Sequence, residues 1–167
     1  MIETERLLLK PLTADELKRQ VEAPELFALE LGLKPSSSLV DDEAIEAILN
    51  DLLPNLSDPD KDPCFYTMWI IICKKEQAIT GGICFHGEPN ENGEVEIGYG
   101  TDDGYRNKGF MTETIAGLVT WLRTKPDIKA IIAETTDDNE ASVRVLQKNG
   151  FTILKKDNHS LLLRLQL

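Results

Sequence analysis

Apolar and polar positions along this chain follow two periods, and the switches between them mark its elements. Around residues 94–99, Val95, Ile97 and Tyr99 alternate with Glu94, Glu96 and Gly98, the period-two pattern of a strand with unlike faces. Residues 5–12 carry Leu7, Leu8 and Leu9 and predict a strand ended by Pro11. Residues 65–73, aromatic and β-branched, read as a buried strand. Residues 78–87 return as the next one, and Asn92-Gly93 gives a hairpin signal before residue 94. Residues 129–135, 151–155 and 160–166 complete the predicted strands, the last two joined at Asp157-Asn158.

Helical spacing fills the intervals. Thr13 and Glu16 form a capping box that predicts a helix to about residue 22. Pro24 starts a second helix, with Leu26, Phe27, Leu29 and Leu31 apolar and Gly32 at its end. After a Pro/Ser loop over 34–39, Asp41 or Asp42 caps a third, with Ile45, Ile48, Leu49, Leu52 and Leu53 at i, i+3, i+4, i+7. Residues 54–63, with three prolines, predict a loop. From Gly109 a helix runs to about Arg123, with Ile115, Leu118, Val119 and Leu122 on one face. Asp137 or Asp138 caps the last helix, and Asn149-Gly150 closes it with a left-handed cap. The order β-α-α-α-β-β-β-α-β-α-β-β predicts one α+β domain over residues 1–167 with a mixed sheet.

Composition narrows the function. With 18 basic and 29 acidic residues the net charge is −11. That disfavours nucleic acid as the main ligand and suits a cationic substrate such as an amine, although a negative surface also serves solubility alone. No apolar run is long enough to cross a bilayer, and the first residues do not read as a signal peptide. Cys64, Cys73 and Cys84 are odd in number and form no Cys-x-x-Cys pair, so a reducing cytoplasm is expected rather than a disulfide framework.

The candidate chemistry centres on the loop after the strand at 94–99. Arg106, Asn107, Lys108, Gly109, Phe110 and Met111 place backbone donors and two cations where a helix begins, which suits a diphosphate. A Walker loop is excluded because Lys108 precedes Gly109. The spacing of Gly98, Gly100 and Gly104 does not fit a dinucleotide fingerprint.

Three segments in order carry a resemblance: Glu96-Ile-Gly-Tyr-Gly-Thr, Tyr105-Arg-Asn-Lys-Gly-Phe-Met-Thr-Glu, and Asn139-Glu-Ala-Ser-Val-Arg-Val-Leu-Gln-Lys-Asn-Gly-Phe. With the opening Glu3-Thr-Glu-Arg-Leu-Leu-Leu-Lys-Pro-Leu, the chain resembles the GNAT acetyltransferase superfamily. Within it, the likeness is to the branch of ribosomal-protein N-terminal acetyltransferases. The resemblance implies the acyl-CoA N-acyltransferase fold, a mixed central sheet of about seven strands flanked by helices. It also implies an acetyl-CoA-dependent N-acetyltransferase acting by direct attack of a primary amine, on a small molecule or a protein N-terminus. No metal, nucleic acid or membrane partner is expected, and a homodimer is left open.

By position, the resemblance implies that the loop from Arg106 to Met111 receives the pyrophosphate of coenzyme A. Met111 stands where Gly or Ala is usual, so its side chain must turn away. The strand end Gly98, Tyr99 and Gly100 is implied to pair with the pantetheine arm, the Tyr99 backbone N–H to stabilise an oxyanion, and Asn139 to bond the same arm. Glu96 takes the position of the general base; its alternative is to position substrate or face solvent, and His86 is the runner-up as base. Ser142 matches a serine near the sulfur, as proton donor to the leaving thiolate; its alternative is a bond to a backbone carbonyl one turn back. Leu146 replaces the tyrosine of many superfamily members. Together, Met111 and Leu146 keep open a non-catalytic acyl-CoA-binding module on the same fold. Cys84, His86 and His159 fall one ligand short of a metal site. Trp69 and Trp121 read as core, and Glu113 as an acid favouring a helix N-terminus.

Overall fold

The sheet begins before the first predicted strand. In the computed structural model, which describes residues 1–35 and 42–167, Ile2–Glu3 (β1) pairs antiparallel with Leu7–Pro11 (β2). The sheet continues through Met68–Cys73 (β3), Ala78–Phe85 (β4), Glu94–Thr101 (β5), Ala130–Thr136 (β6), Thr152–Asp157 (β7) and Ser160–Gln166 (β8). Their order is β1-β2-β3-β4-β5-β6-β8-β7, with only β5 and β6 parallel. The sheet therefore has eight strands rather than about seven, because a two-residue strand is too short to show a period.

On one face lie Phe110–Leu122 (α5) and Glu140–Lys148 (α6). Ile115, Leu118, Leu122 and Leu146 pack there against Leu7, Leu9, Trp69, Ile71, Val95, Ile97, Ile131 and Leu163. Trp69 is core, and Trp121 is a half-buried neighbour with its ring 5.3 Å away. The other face is covered by Ala14–Glu22 (α1), Pro24–Glu30 (α2) and a helical segment over residues 42–56. Leu17, Phe27, Ile48 and Leu52 meet Met68, Ile70, Ile72 and Ile79 in a second cluster that takes no residue from β5, β6, β7 or β8. The sheet is thus buried on two faces at one end and on one face at the other. Strand β3, Met-Trp-Ile-Ile-Ile-Cys, is buried at every position for this reason.

Local chemistry sets the boundaries. The capping box at Thr13 and Glu16 is present on both sides and starts α1. The segment over 42–56 runs as Asp42–Ala47 (α3), a π-turn at Ile48–Leu52 and Leu53–Leu56 (α4). Pro54 has no N–H, and its ring would meet the carbonyl of Asn50 in a regular helix. In the wider turn Leu53 N–H reaches Ile48 O, and Pro54 falls at the start of α4, where proline is tolerated. The predicted loop over 54–63 therefore opens as helix. The expected Pro/Ser loop beyond Pro35, and capping by Asp41 or by the Asp42 side chain, lie outside the described residues.

Candidate active site

The functional geometry starts from a divergence of two neighbouring strands. β5 and β6 pair only through Glu94↔Ala130, Val95↔Ile131 and Glu96↔Ile132. Beyond that rung each strand continues with its other partner, β5 with β4 as far as Thr101 and β6 with β8 as far as Thr136. His86 N–H donates to Glu96 O, and Asp102 N–H to Thr80 O. By strand alternation the backbone groups of Ile97, Tyr99 and Thr101 then face the opening. A cavity of about 950 Å³ occupies it, reaching from Gly98, Tyr99 and Gly100 past Arg106, Asn107, Gly109, Phe110 and Met111 to Asn139 and Ser142.

At one end of the cavity stands the N-terminus of α5. Its N-cap, Gly109, has φ +75° and no side chain caps the first turn. Asn107, at φ +60°, is in the left-handed region that Asn tolerates better than most residues. The first-turn N–H groups are thus left without a side-chain cap beside the cavity. Met111 is 6 % exposed and its side chain packs in the core, while the residue also contributes to the cavity wall. Arg106 forms an exposed pair with Asp103 at 2.8 Å. Lys108, expected to contact the ligand, does not line the cavity: its ammonium is 3.8 Å from Glu76 and lies over the Tyr105 ring at 4.5 Å. Two cations that the sequence reading missed, Arg144 and Lys148, line the cavity from α6. Their i, i+4 spacing on one helix face was the available signal.

Between β5 and α6 the Tyr99 and Ser142 hydroxyls are 2.8 Å apart. Ser142 is therefore bonded across to the sheet, and the Tyr99 phenol is a site group that the sequence reading did not single out. Burial pushes that phenol above its ordinary value, against the lowering effect of Ser142. Asn139, not Asp137 or Asp138, is the N-cap of α6, its Oδ1 accepting from Ser142 N–H at 3.1 Å. Neither expected aspartate is the cap, because the backbone leaves the helix one residue later, at Asn139. The Asn139 side-chain amide can still donate to a ligand. Leu146 is fully buried in the core.

Glu96 projects to the other sheet face, away from α5. Its Oε1 is 3.1 Å from His86 Nδ1, so the two base candidates form one pair. A Cβ at Gly98 would come within 2.8 Å of His86 Nε2, so glycine there admits the imidazole. Neither Glu96 nor His86 lines the cavity between the strands. Nearby, Glu94 pairs with Arg164 at 2.9 Å, and Glu134, exposed, bonds Ser160. The Cys84 thiol is pushed up to about 11 by burial, against its bond to Gly98 O, and stays protonated near neutrality. His159 lies beside Asp137 at 3.3 Å. Among the described residues, no three His, Cys, Asp or Glu side chains gather as a metal site, and no helix is long and apolar enough to cross a membrane.

The chain and its fold have known counterparts. A family model described as "Acetyltransferase (GNAT) domain" matches residues 6–152. The chain is 29 % identical over 156 residues to the uncharacterized N-acetyltransferase YjdG of Bacillus subtilis (strain 168), covering 93 % of this chain and 92 % of that protein. Among solved structures it is similar to a ribosomal-protein-S5-alanine acetyltransferase from Vibrio fischeri (TM-score 0.69, 16 % identity, 98 % and 94 % of the two chains). It is also similar to RimL, a ribosomal L7/L12 alpha-N-protein acetyltransferase in complex with coenzyme A (TM-score 0.66, 19 % identity, 98 % and 96 %). At these identities the likeness to the solved structures is one of fold.

Proposed function

The chain belongs to the GNAT acetyltransferase family and is an acetyltransferase, and from that premise we propose that it moves the acetyl group of acetyl-CoA to a primary amine, on a protein N-terminus or a small molecule. The observation that carries this reading is the open edge of β5 leading to an N-terminus of α5 that no side chain caps. The residues suit such a co-substrate. First-turn N–H groups with Arg106, Arg144 and Lys148 around them match a pyrophosphate, and a free strand edge matches an amide-bearing arm. When bound, acetyl-CoA supplies an acyl group already activated as a thioester.

The remaining chemistry falls to the chain's own side chains. An amine arrives as an ammonium and must lose a proton before it attacks. Glu96 accepts the Nδ1 proton of His86, which leaves Nε2 free as the base, next to Gly98. The imidazole then takes the proton, and the Glu96 carboxylate stabilises the cation formed. On the cavity side, Ser142 Oγ–H, backed by the Tyr99 phenol, holds a proton for the leaving thiolate. The net charge of −11, with Glu96 and Glu134 on the uncovered sheet face, favours encounter with a cationic acceptor. Protein α-amines are the first acceptors to try, because both fold neighbours carry names of ribosomal-protein acetyltransferases. We place the enzyme in the cytoplasm, working as one domain over residues 1–167.

The test is a panel of amines and N-terminal peptides incubated with acetyl-CoA and read by mass spectrometry for a mass gain of one acetyl group. Acetylation of at least one amine, abolished by omitting acetyl-CoA, is expected. Coenzyme binding with no acetylated amine across α-, ε- and polyamine acceptors would overturn the amine assignment.

A further inference from the structure

The opening segment Glu3-Thr-Glu-Arg-Leu takes no part in the chemistry above, yet it is tied closely to the turn that precedes α5. Thr4 N–H donates to Leu7 O at 3.0 Å, and Leu7 N–H donates to Thr4 Oγ1 at 3.1 Å, closing a tight link between β1 and β2. From that link three donors converge on one carboxylate. Thr4 Oγ1–H and Arg6 N–H reach Glu113 Oε1 at 2.6 and 2.7 Å, and Arg6 Nε–H reaches Oε2 at 2.6 Å. One turn along α5, a Cβ at Gly117 would stand 2.7 Å from Thr4 Cγ2, so glycine there lets the helix come this close. The Arg6 guanidinium then turns toward the loop. It donates to Lys108 O at 3.1 Å, lies 4.8 Å from the centre of the Phe110 ring, and has Nη2 3.5 Å from where a Gly109 Cβ would be. Arg6 does not line the cavity, so it holds residues 108–110 from behind.

We infer that Arg6, with Thr4 and Glu113, is a positioning residue for the pyrophosphate of the coenzyme, an inference that rests on the coenzyme reading above. It fixes the direction of the first-turn N–H groups of α5 by pinning the carbonyl of Lys108 and the carboxylate of Glu113 to the link between β1 and β2. Such a role concerns the anion alone and leaves the pantetheine arm along β5 untouched.

The experiment compares two ligands on the full chain: coenzyme A by calorimetry, and pantetheine, which lacks the pyrophosphate and nucleotide, by NMR titration. In Arg6→Ala the dissociation constant for coenzyme A is expected to rise about ten- to hundredfold, the size of lost charged hydrogen bonds, with pantetheine binding unchanged. Arg6→Lys, which keeps the charge without the fork, is expected to recover part of the loss. Unchanged coenzyme A affinity in Arg6→Ala, or an equal loss for both ligands, overturns the positioning role. Wild-type protein that does not bind coenzyme A overturns the coenzyme reading itself. Should Arg6→Ala fail to fold, Glu113→Gln carries the same comparison, since it keeps the shape and removes the charge that Arg6 pairs with.

Discussion

The two edges of β5 differ in how far they are paired. Toward β4 the strand pairs along Gly81↔Thr101 through Phe85↔Ile97, its end held further by Asp102 N–H on Thr80 O. Toward β6 it pairs for three residues and then stands free. A strand with one loose edge keeps its shape only if the other edge is fixed, and the fixed edge lies beside the half of the sheet that is buried on both faces. Stability is concentrated there, while the opening and the uncapped helix end lie on the other side; the Glu96–His86 pair sits across the fixed edge, where the β4–β5 ladder ends. An unpaired edge is ordinarily a liability; here it is short and roofed by α5 and α6.

The largest expected effect tests whether the chemistry also draws on the fixed edge, where His86 follows β4. His86→Ala should lower turnover about 10²–10⁴-fold, the range for loss of a general base. The midpoint of thermal unfolding should move little, because the ring is half exposed. Glu96→Gln keeps an acceptor for Nδ1–H but not the negative charge beside the imidazole, so its loss should be smaller. Full activity in His86→Ala would place the base elsewhere and leave the fixed edge with a purely structural role.

A pair of glycines sharpens the same contrast in stability. A Cβ at Gly81 would lie 2.5 Å from Gly100 O, a backbone atom that cannot step aside, whereas a Cβ at Gly100 meets nothing within 4 Å. Gly81→Ala should therefore destabilise by about 1–3 kcal/mol, lowering the unfolding midpoint about 2–4 °C per kcal/mol. Gly100→Ala should stay within about 0.5 kcal/mol of wild type. Calorimetry of the two variants decides it; equal midpoints would mean that the β4–β5 contact at Gly81 yields as readily as the open space beside Gly100. A smaller effect is expected at the hydroxyl pair. Ser142→Ala should reduce turnover more than Tyr99→Phe, because the phenol acts through Ser142, and steady-state kinetics with acetyl-CoA in excess would show the reverse order if Tyr99 were the direct donor.

Much of this was legible from residue order. The alternation at Val95, Ile97 and Tyr99, the capping box at Thr13, and the donor-rich turn before α5 are local signals, and the structure carries each of them. What was not legible depends on register or on distant partners. Glu96 and His86 meet because β4 and β5 pair in one of several registers open to a hairpin. Lys108 lies beside Glu76 and Tyr105, neighbours that its place in the loop does not announce. Tyr99 and Ser142 are 43 residues apart, and Arg6 and Glu113 are 107. Pro54 reads as a helix breaker because nothing in the sequence announces a π-turn.

The smallest expected effect is electrostatic and separates the two sides by what a like change does to each. Glu16, on α1 over the closed half, and Glu113, on α5 at the cavity, both have carboxyls held below the ordinary value near 4.5. In each, burial pushes the value up, and hydrogen bonds from Lys10 and Thr13, or from Thr4 and Arg6, outweigh it. A folded-state value below the unfolded one gives stability that is present above about pH 4.5 and lost as pH falls through the lowered folded value. Both contributions are modest, since solvent screens these pairs. Glu16→Gln and Glu113→Gln should thus each lower the unfolding midpoint at neutral pH, and each difference from wild type should shrink as the pH is taken from 5 toward 3. The ligand response should tell them apart. Glu16→Gln leaves coenzyme A affinity at pH 7 as in wild type, whereas Glu113→Gln weakens it, because only the second carboxylate anchors the turn under the pyrophosphate. Equal affinities in the two variants would show that the open side tolerates loosening as well as the closed side does.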